Sequence, residues 1–185
     1  IDNELRYQLA YVEDNRFLNG GGTGSDLHGI YTQATALGAN PMVVSAPTKL
    51  VVIAAAILQQ NLTNLPCDGI VLHPSDWTSM QMIKDTAGAY ILGNPQETAQ
   101  PRLWGLPVAL TPAMTVDKFL VGNFQQSATL YDRMAARVEV STEGGDNFRQ
   151  NKITVLAEER VALAVKNTLG FTKGDFSDAI TDLTS

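Results

Sequence analysis

Residues 131–166 read YDRMAARVEVSTEGGDNFRQNKITVLAEERVALAVK, and how this stretch folds decides the rest. Val138 and Val140 alternate with Arg137 and Glu139 ahead of a polar, glycine-bearing segment, residues 141–150. Beyond it Ile153, Val155, Ala157, Val161 and Leu163 share one face at a period of two, interrupted only by Glu159. Local propensity objects, because AEERVALAVK is rich in strong helix formers. The alternation outweighs it and predicts two long strands forming a ribbon. The polar tip is too long for a tight hairpin turn, and long ordered loops in compact domains tend to carry function. Glu143, Gly144, Gly145, Asp146, Asn147, Phe148 and Arg149 are therefore the expected contact surface.

The totals narrow the field. A chain of 185 residues fits one domain or two small lobes and can bury a sizeable core. Its net charge of -6, with no cluster of Lys and Arg, argues against a dedicated nucleic-acid binder. Cys67 is the only cysteine and His28 and His73 the only histidines, which excludes an intrachain disulfide, a thiolate cage and a multi-histidine metal site. We expect no metal and no cofactor. No run approaches the ~20 apolar residues of a membrane span, and no signal segment opens the chain, so a soluble, non-secreted protein with no membrane partner is expected. The sequence begins at Ile1 without Met and inside a helical pattern, which leads us to expect further residues upstream.

Ile1, Leu5, Leu9 and Val12 fall at helical spacing, and Asn19 and Gly20 supply a left-handed stop. The glycine-rich NGGGTGSDLHG that follows does not fit GxGxxG, is not followed by GK[ST], and leaves a helix instead of a strand. It reads as a flexible connector. Residues 30–46 read as irregular or short extended structure. Ser45 and Pro47 then open a helix with Leu50, Ile53, Ala54, Ile57, Leu58 and Leu62 as its core stripe, closed by Pro66. The glycosylation spacing at Asn61-Leu62-Thr63 is taken as chance.

GIVLH, residues 69–73, reads as a buried strand, with Ser75 or Asp76 capping a helix that carries Trp77, Met80 and Ile83. Strand, turn and helix start in that order are where α/β enzymes bind ligands, so His73, Ser75 and Asp76 form the one enzyme-like constellation, a small α/β hydrolase reading. No GxSxG nucleophile elbow supports it, and capping explains the serine and the aspartate. Further short strands are expected at residues 104–108, bent or at an edge because of Gly105 and Pro107, at residues 119–122, at residues 128–131 and within residues 168–176. The tail TDLTS reads as frayed. Short strands interspersed with a few helices make an α+β fold.

Several motifs resemble the major capsid proteins of tailed double-stranded DNA bacteriophages, the Hong Kong 97 type. They are Leu18-Asn19-Gly20 with Gly22-Thr23-Gly24; Gly69-Ile70-Val71-Leu72 with Pro74, Asp76 and Trp77; Lys84-Asp85 with Gly88 and Tyr90-Ile91; Trp104-Gly105-Leu106-Pro107-Val108; and Asp132-Arg133-Met134. The most specific are Val138-Glu139-Val140-Ser141, Asp146-Asn147-Phe148, Asn151, Glu158-Glu159-Arg160 and Ala162-Leu163-Ala164. The resemblance runs in order from residue 1 to about residue 174.

It implies a structural protein, not an enzyme. Residues 1–33 would be the end of a long peripheral helix and a glycine-rich connector, residues 34–132 an axial lobe, and residues 133–185 the peripheral ribbon and tail. It further implies self-association into pentamers and hexamers of an icosahedral shell in the virion, assembled in the host cytoplasm. Portal, scaffolding or maturation-protease partners and DNA enclosed without sequence readout are also implied. The family's amino-terminal arm and extended loop would lie upstream of residue 1. Some relatives weld subunits by an isopeptide bond from a loop lysine to an asparagine, assisted by a glutamate. By motif position these are Asn151 and Glu158. Seven residues separate them, roughly 23 Å along one strand, so they would have to meet across subunits. An encapsulin-like nanocompartment shell shares the fold and is the competing reading.

Overall fold

A computed structural model describes residues 2–38, 44, 47–85, 88–92, 100–145 and 147–183. In chain order the elements are α1 (Asp2–Asn19), α2 (Ile30–Gln33), β1 (Thr35–Ala36), α3 (Lys49–Leu62), β2 (Gly69–Leu72), α4 (Pro74–Gln81), β3 (Arg102–Leu103) and β4 (Leu106–Leu110). Then follow β5 (Lys118–Gly122), α5 (Phe124–Ser127), β6 (Ala128–Ser141), β7 (Thr154–Val165), a 3-10 turn at Thr168–Gly170, β8 (Phe171–Asp175) and α6 (Phe176–Asp182).

Six strands form one mixed sheet in the order β1-β8-β5-β2-β4-β3. Its centre, β2, β5 and β8, is antiparallel, whereas β2 with β4 and β1 with β8 run parallel. The other two, β6 and β7, form a separate antiparallel ribbon. The expected α+β class holds, and so does the ribbon: β7 is a strand despite its helix-forming composition, because tertiary pairing with β6 overrides local propensity. The ribbon is longer than the sequence suggests, since residues 128–131 are the base of β6 and not a separate strand.

Two apolar clusters cover the two faces of the sheet. On one, Val52, Ile53, Ala55 and Ala56 of α3 pack with Trp77 and Met80 of α4 and Phe176, Ala179 and Leu183 of the C-terminal helix. On the other, Leu18, Ile30, Ala34, Met114 and Phe171 gather with Leu163 and Val165 from the ribbon base. The end of α1, the root of the ribbon and the back of the sheet thus share one core.

Three expectations are corrected. The buried face of α3 holds Val52, Ile53, Ala55, Ala56 and Gln60, while Leu58 and Leu62 are exposed; the two alanines let the helix approach the sheet closely. The expected opening residue Ser45 lies outside the described residues, and Thr48 is the N-cap. The tail is not frayed through Leu183: Phe176, Ala179 and Leu183 recur on one helical face and are buried, with residues 184 and 185 outside the described range. Residues 133–185 hold most of the ribbon and also β8, which returns between β1 and β5 in the six-stranded sheet.

The glycine-rich loop is also not slack chain. Gly22 N–H donates to Leu27 O at 3.0 Å, Gly29 N–H to Gly20 O at 2.9 Å, and Gly21 N–H to the Asp26 carboxylate at 3.0 Å. A Cβ on Gly29 would stand 2.3 Å from Leu18 O, and one on Gly20 would stand 2.1 Å from Leu27 O. These two glycines are there so that backbone can touch backbone.

Candidate functional site

Among the described residues the ribbon has no second sheet to pack on. Such a pair of strands is marginal alone, and α1 supplies the missing layer. Along the helix the half-buried positions are Leu5, Leu9, Glu13 and Phe17, one every four residues, and every other position from residue 2 to residue 16 is exposed. On β7 Ala157, Glu159, Val161, Leu163 and Val165 are half-buried, as are Glu158 and Ala164, while Val155 is exposed. Arg6 fastens the far end of the helix, its guanidinium donating to Ala136 O at 3.2 Å and to Asp2 at 3.1 Å.

The rest of the ribbon is open. Leu130, Tyr131, Val140, Ile153, Val155 and Leu156 are exposed along it, and among the described residues no further strand pairs with the outer edge of either strand. Across the ribbon Arg137 stands opposite Glu158 and also reaches Glu139 at 3.1 Å. The hydrogen bond to Glu158, then the charges of Glu139 and Glu158, push the Arg137 guanidinium further up.

At the tip, Asn147 is the staple. Its N–H donates to Gly144 O at 3.0 Å, its side-chain amide donates to Thr154 Oγ1 at 2.8 Å, and its carbonyl accepts from Lys152 N–H at 2.8 Å. Phe148 is held only through its backbone, its carbonyl accepting from Asn151 N–H at 3.3 Å among the described residues, and it is 84% exposed. Glu143, Gly144, Gly145 and Arg149 are exposed around it, and Asp146 lies outside the described residues. The expected contact surface is therefore a stapled loop displaying one bare aromatic ring.

Asn151 and Glu158 are not brought together within the chain. Asn151 sits in the tip with a φ of 52°, ahead of the strand that begins at Thr154, so the two are not joined by one continuous strand as expected. Glu158 lies within β7, bound to Arg137.

The enzyme-like constellation dissolves. His73 is the N-cap of α4, in place of the expected Ser75 or Asp76, and its Nδ1 accepts from the Ser75 backbone N–H at 3.1 Å. The Ser75 side chain faces outward. Asp76 is 2% exposed and already committed: Oδ1 accepts from Lys49 Nζ at 2.7 Å and Oδ2 from Asp117 N–H at 2.8 Å. Lys49 also reaches Asp117 at 3.2 Å and lies over the Phe176 ring, 5.0 Å from its centroid. Burial pulls the Lys49 ammonium down, but its bonds to Asp76 and Asp117 outweigh burial and the net shift is up. Burial pushes Asp117 up, yet hydrogen bonds from Ser177 and Lys49 bring it below the usual carboxylate range. A charged lysine and an ionised aspartate make a clamp joining α3, α4 and the start of β5, not a nucleophile and an acid. Sequence reasoning missed this clamp; Asp76 and Asp117 are 41 residues apart and nothing in their local patterns links them.

A small cavity of about 200 Å³ lies beside β1 and α6, lined by Leu37, Lys173, Asp175, Asp178 and Leu183 among others. Among the described residues no group of His, Cys, Asp and Glu is arranged to hold a metal, and no helix is long and apolar enough to cross a membrane.

The phage capsid family model matches residues 1–176. The major capsid protein of Enterobacteria phage HK97 is 42% identical over 177 residues, covering 96% of this chain and 46% of that protein. The chain thus spans about half the length of that relative. Among solved structures, the capsid of an empty GTA particle has a TM-score of 0.71 at 17% identity, over 94% of this chain and 64% of the other. Gordonia phage Cozz gives 0.72 at 14% identity, over 94% and 61%. A virus-like particle from Pyrococcus furiosus gives 0.59 at 11% identity, over 91% and 64%. At these identities the structural likenesses speak for the fold alone.

Proposed function

The chain belongs to the phage capsid family, and from that premise we propose that the protein it represents is a phage or prophage major capsid protein that self-assembles into a shell through many weak, repeated contacts. The observation that carries the reading is the ribbon: a long arm with open edges, exposed apolar side chains and a stapled tip that presents Phe148. Surfaces of that kind on a soluble chain mark contact with another macromolecule. Closure by symmetry turns such contacts into pentamers and hexamers.

The 42% identity to a phage capsid protein favours a DNA-containing head over an encapsulin-like compartment. With a net charge of -6 the wall holds DNA by enclosure and not by phosphate contacts. Portal, scaffolding and maturation-protease partners, and assembly in the host cytoplasm, belong to the same proposal.

The test is electron microscopy of the full-length product expressed with its neighbouring genes, wild type against Phe148→Asp. The substitution leaves the stability of the isolated chain within ~0.5 kcal/mol, as for other exposed positions, and sharply lowers the yield of closed particles. Wild-type yield from the variant sinks the assignment of the tip as a subunit contact.

The same reading includes a weld between subunits, with Asn151 of one copy attacked by a lysine supplied from outside the present chain. The lysine nitrogen would form the new C–N bond, ammonia would leave, and Glu158 would take the proton. Glu158 enters this role from its pairing with Arg137 on the neighbouring strand. Particles boiled in detergent that yield monomer bands alone refute the weld and leave the shell reading standing.

A further inference from the structure

Trp104 stands where neither the turn nor the core asks for it. Pairing of Leu103 with Leu106 leaves Trp104 and Gly105 as a two-residue turn between β3 and β4, with φ of 53° and 82°. Both angles are left-handed, as in the type I′ turn that favours Asn-Gly. A bulky side chain in that conformation is strained. Burial does not offset the strain, since the tryptophan is 66% exposed. Nearby Arg102 is exposed on the outermost strand and has no ion-pair partner among the described residues. A strained, bare tryptophan beside an open arginine has the composition of a contact hot spot.

The opposite edge of the same sheet is hollow. In the strand order β1 is first and β3 last, and beside β1 lies the cavity of about 200 Å³. Leu37, Ala179 and Leu183 give it an apolar floor. Asp178 and Asp182, exposed and one turn apart on α6, form its rim and have no ion-pair partners among the described residues. The lining Lys173 is turned towards α2, its ammonium donating to Tyr31 O at 2.9 Å and to Thr32 O at 3.1 Å. A cavity of about 150 Å³ accepts a benzene ring, so this one has room for an indole. We propose that Trp104 of one copy seats in the β1–α6 cavity of the next, with Arg102 against Asp178 and Asp182, so that successive copies join edge to edge in a ring.

The chain cannot fill its own cavity. Five strand spacings of about 4.8 Å put the two edges roughly 24 Å apart, so a second copy must bring the tryptophan. The two halves of the contact are different surfaces, which makes it head-to-tail. Each copy gives its turn to one neighbour and receives the turn of the other, and such a contact generates a ring when the rotation closes. A two-fold contact, turn against turn, would stop at a pair and leave both cavities empty. The inference rests on the shell reading and deepens it. It names the surfaces that gather copies around one axis, apart from the ribbon contact that presents Phe148.

The first test is Trp104→Asn in the full-length product expressed with its neighbouring genes. Asparagine before Gly105 relieves the turn, so the variant melts at or above the wild-type temperature while the yield of closed particles falls ~10-fold or more. The second test combines Trp104→Cys with Ala36→Cys at the cavity. Mild oxidation of the assembled protein links copies into a reducible ladder that ends at the pentamer and hexamer, and either cysteine alone gives none. Reducibility separates this ladder from any isopeptide weld. Wild-type particle yield from Trp104→Asn, or a fall in yield matched by a fall in melting temperature, overturns the contact. So do cross-links that are absent or stop at the dimer, and a ladder from Trp104→Cys alone. Wild-type protein that forms no closed particles sinks the shell reading and this contact together, which tells the two failures apart.

Discussion

Replacing Asp76 with alanine tests the view that the buried carboxylate is a clamp. Asp76 is 2% exposed and holds two partners, Lys49 Nζ at 2.7 Å and Asp117 N–H at 2.8 Å. Removing one side of a buried ion pair costs ~3–5 kcal/mol, because the remaining charge is stranded. Lys49 and Asp117 keep 27% and 33% side-chain exposure and remain 3.2 Å apart, so solvent and the surviving partner discount the loss to the low end, about 3 kcal/mol. For a chain of this size that lowers the melting temperature by about 6–12 °C.

The assay is urea unfolding followed by fluorescence of the buried Trp77, with Asp76→Ala, Lys49→Met and a Lys49→Met/Asp76→Leu double variant. Apolar replacement of both partners is expected to recover most of the loss, since a well-packed apolar pair can equal a buried salt bridge. The clamp also fails in acid. Asp117 is held below the usual carboxylate range, so its contribution is present above the unfolded-chain pKa and disappears as pH falls through the folded value. A loss below about 1 kcal/mol for Asp76→Ala, or a double variant as unstable as the two singles combined, refutes the reasoning.

Two further outcomes follow from close contacts. A Cβ at Gly170 would stand 1.9 Å from Ser127 Oγ and 2.5 Å from Ser127 Cβ, so Gly170→Ala costs about 3 kcal/mol or more in a chemical melt. Ser127 Oγ has no hydrogen-bond partner among the described residues, so Ser127→Gly added to that variant recovers most of the loss; no recovery would show that something else fills the space. Cys67 is half-buried beside Asp68, and burial first, then that charge, push its thiol up to about 12. Its reaction with a disulfide reagent near neutral pH is therefore at least ~30-fold slower in the native chain than in urea, and equal rates would contradict the placement.

The ribbon was legible because alternation is a property of the local sequence, and it survived a composition that favours helix. The face of α3 was not, since that helix is apolar nearly all round and only the sheet beneath it selects Val52, Ala55 and Ala56. Likewise α6 is too short for its pattern to outweigh the strand before it. The His73 cap escaped notice because histidine is an uncommon N-cap, and the Lys49–Asp76–Asp117 clamp because its members are distant in sequence. The loop around residues 20–29 misled in the other direction. Its glycines suggested freedom, whereas two of them exist to let main chain touch main chain.

The strand order has one more implication. Gly122 at the end of β5 pairs directly with Phe171 at the start of β8, so everything from residue 123 to residue 170 leaves and re-enters the sheet at adjoining points. The arm is a detour inside what would otherwise be a simple hairpin. Lengthening or trimming it by matched pairs of residues near the tip leaves every pairing of the six-stranded sheet intact, so reach can be altered independently of the body that carries it.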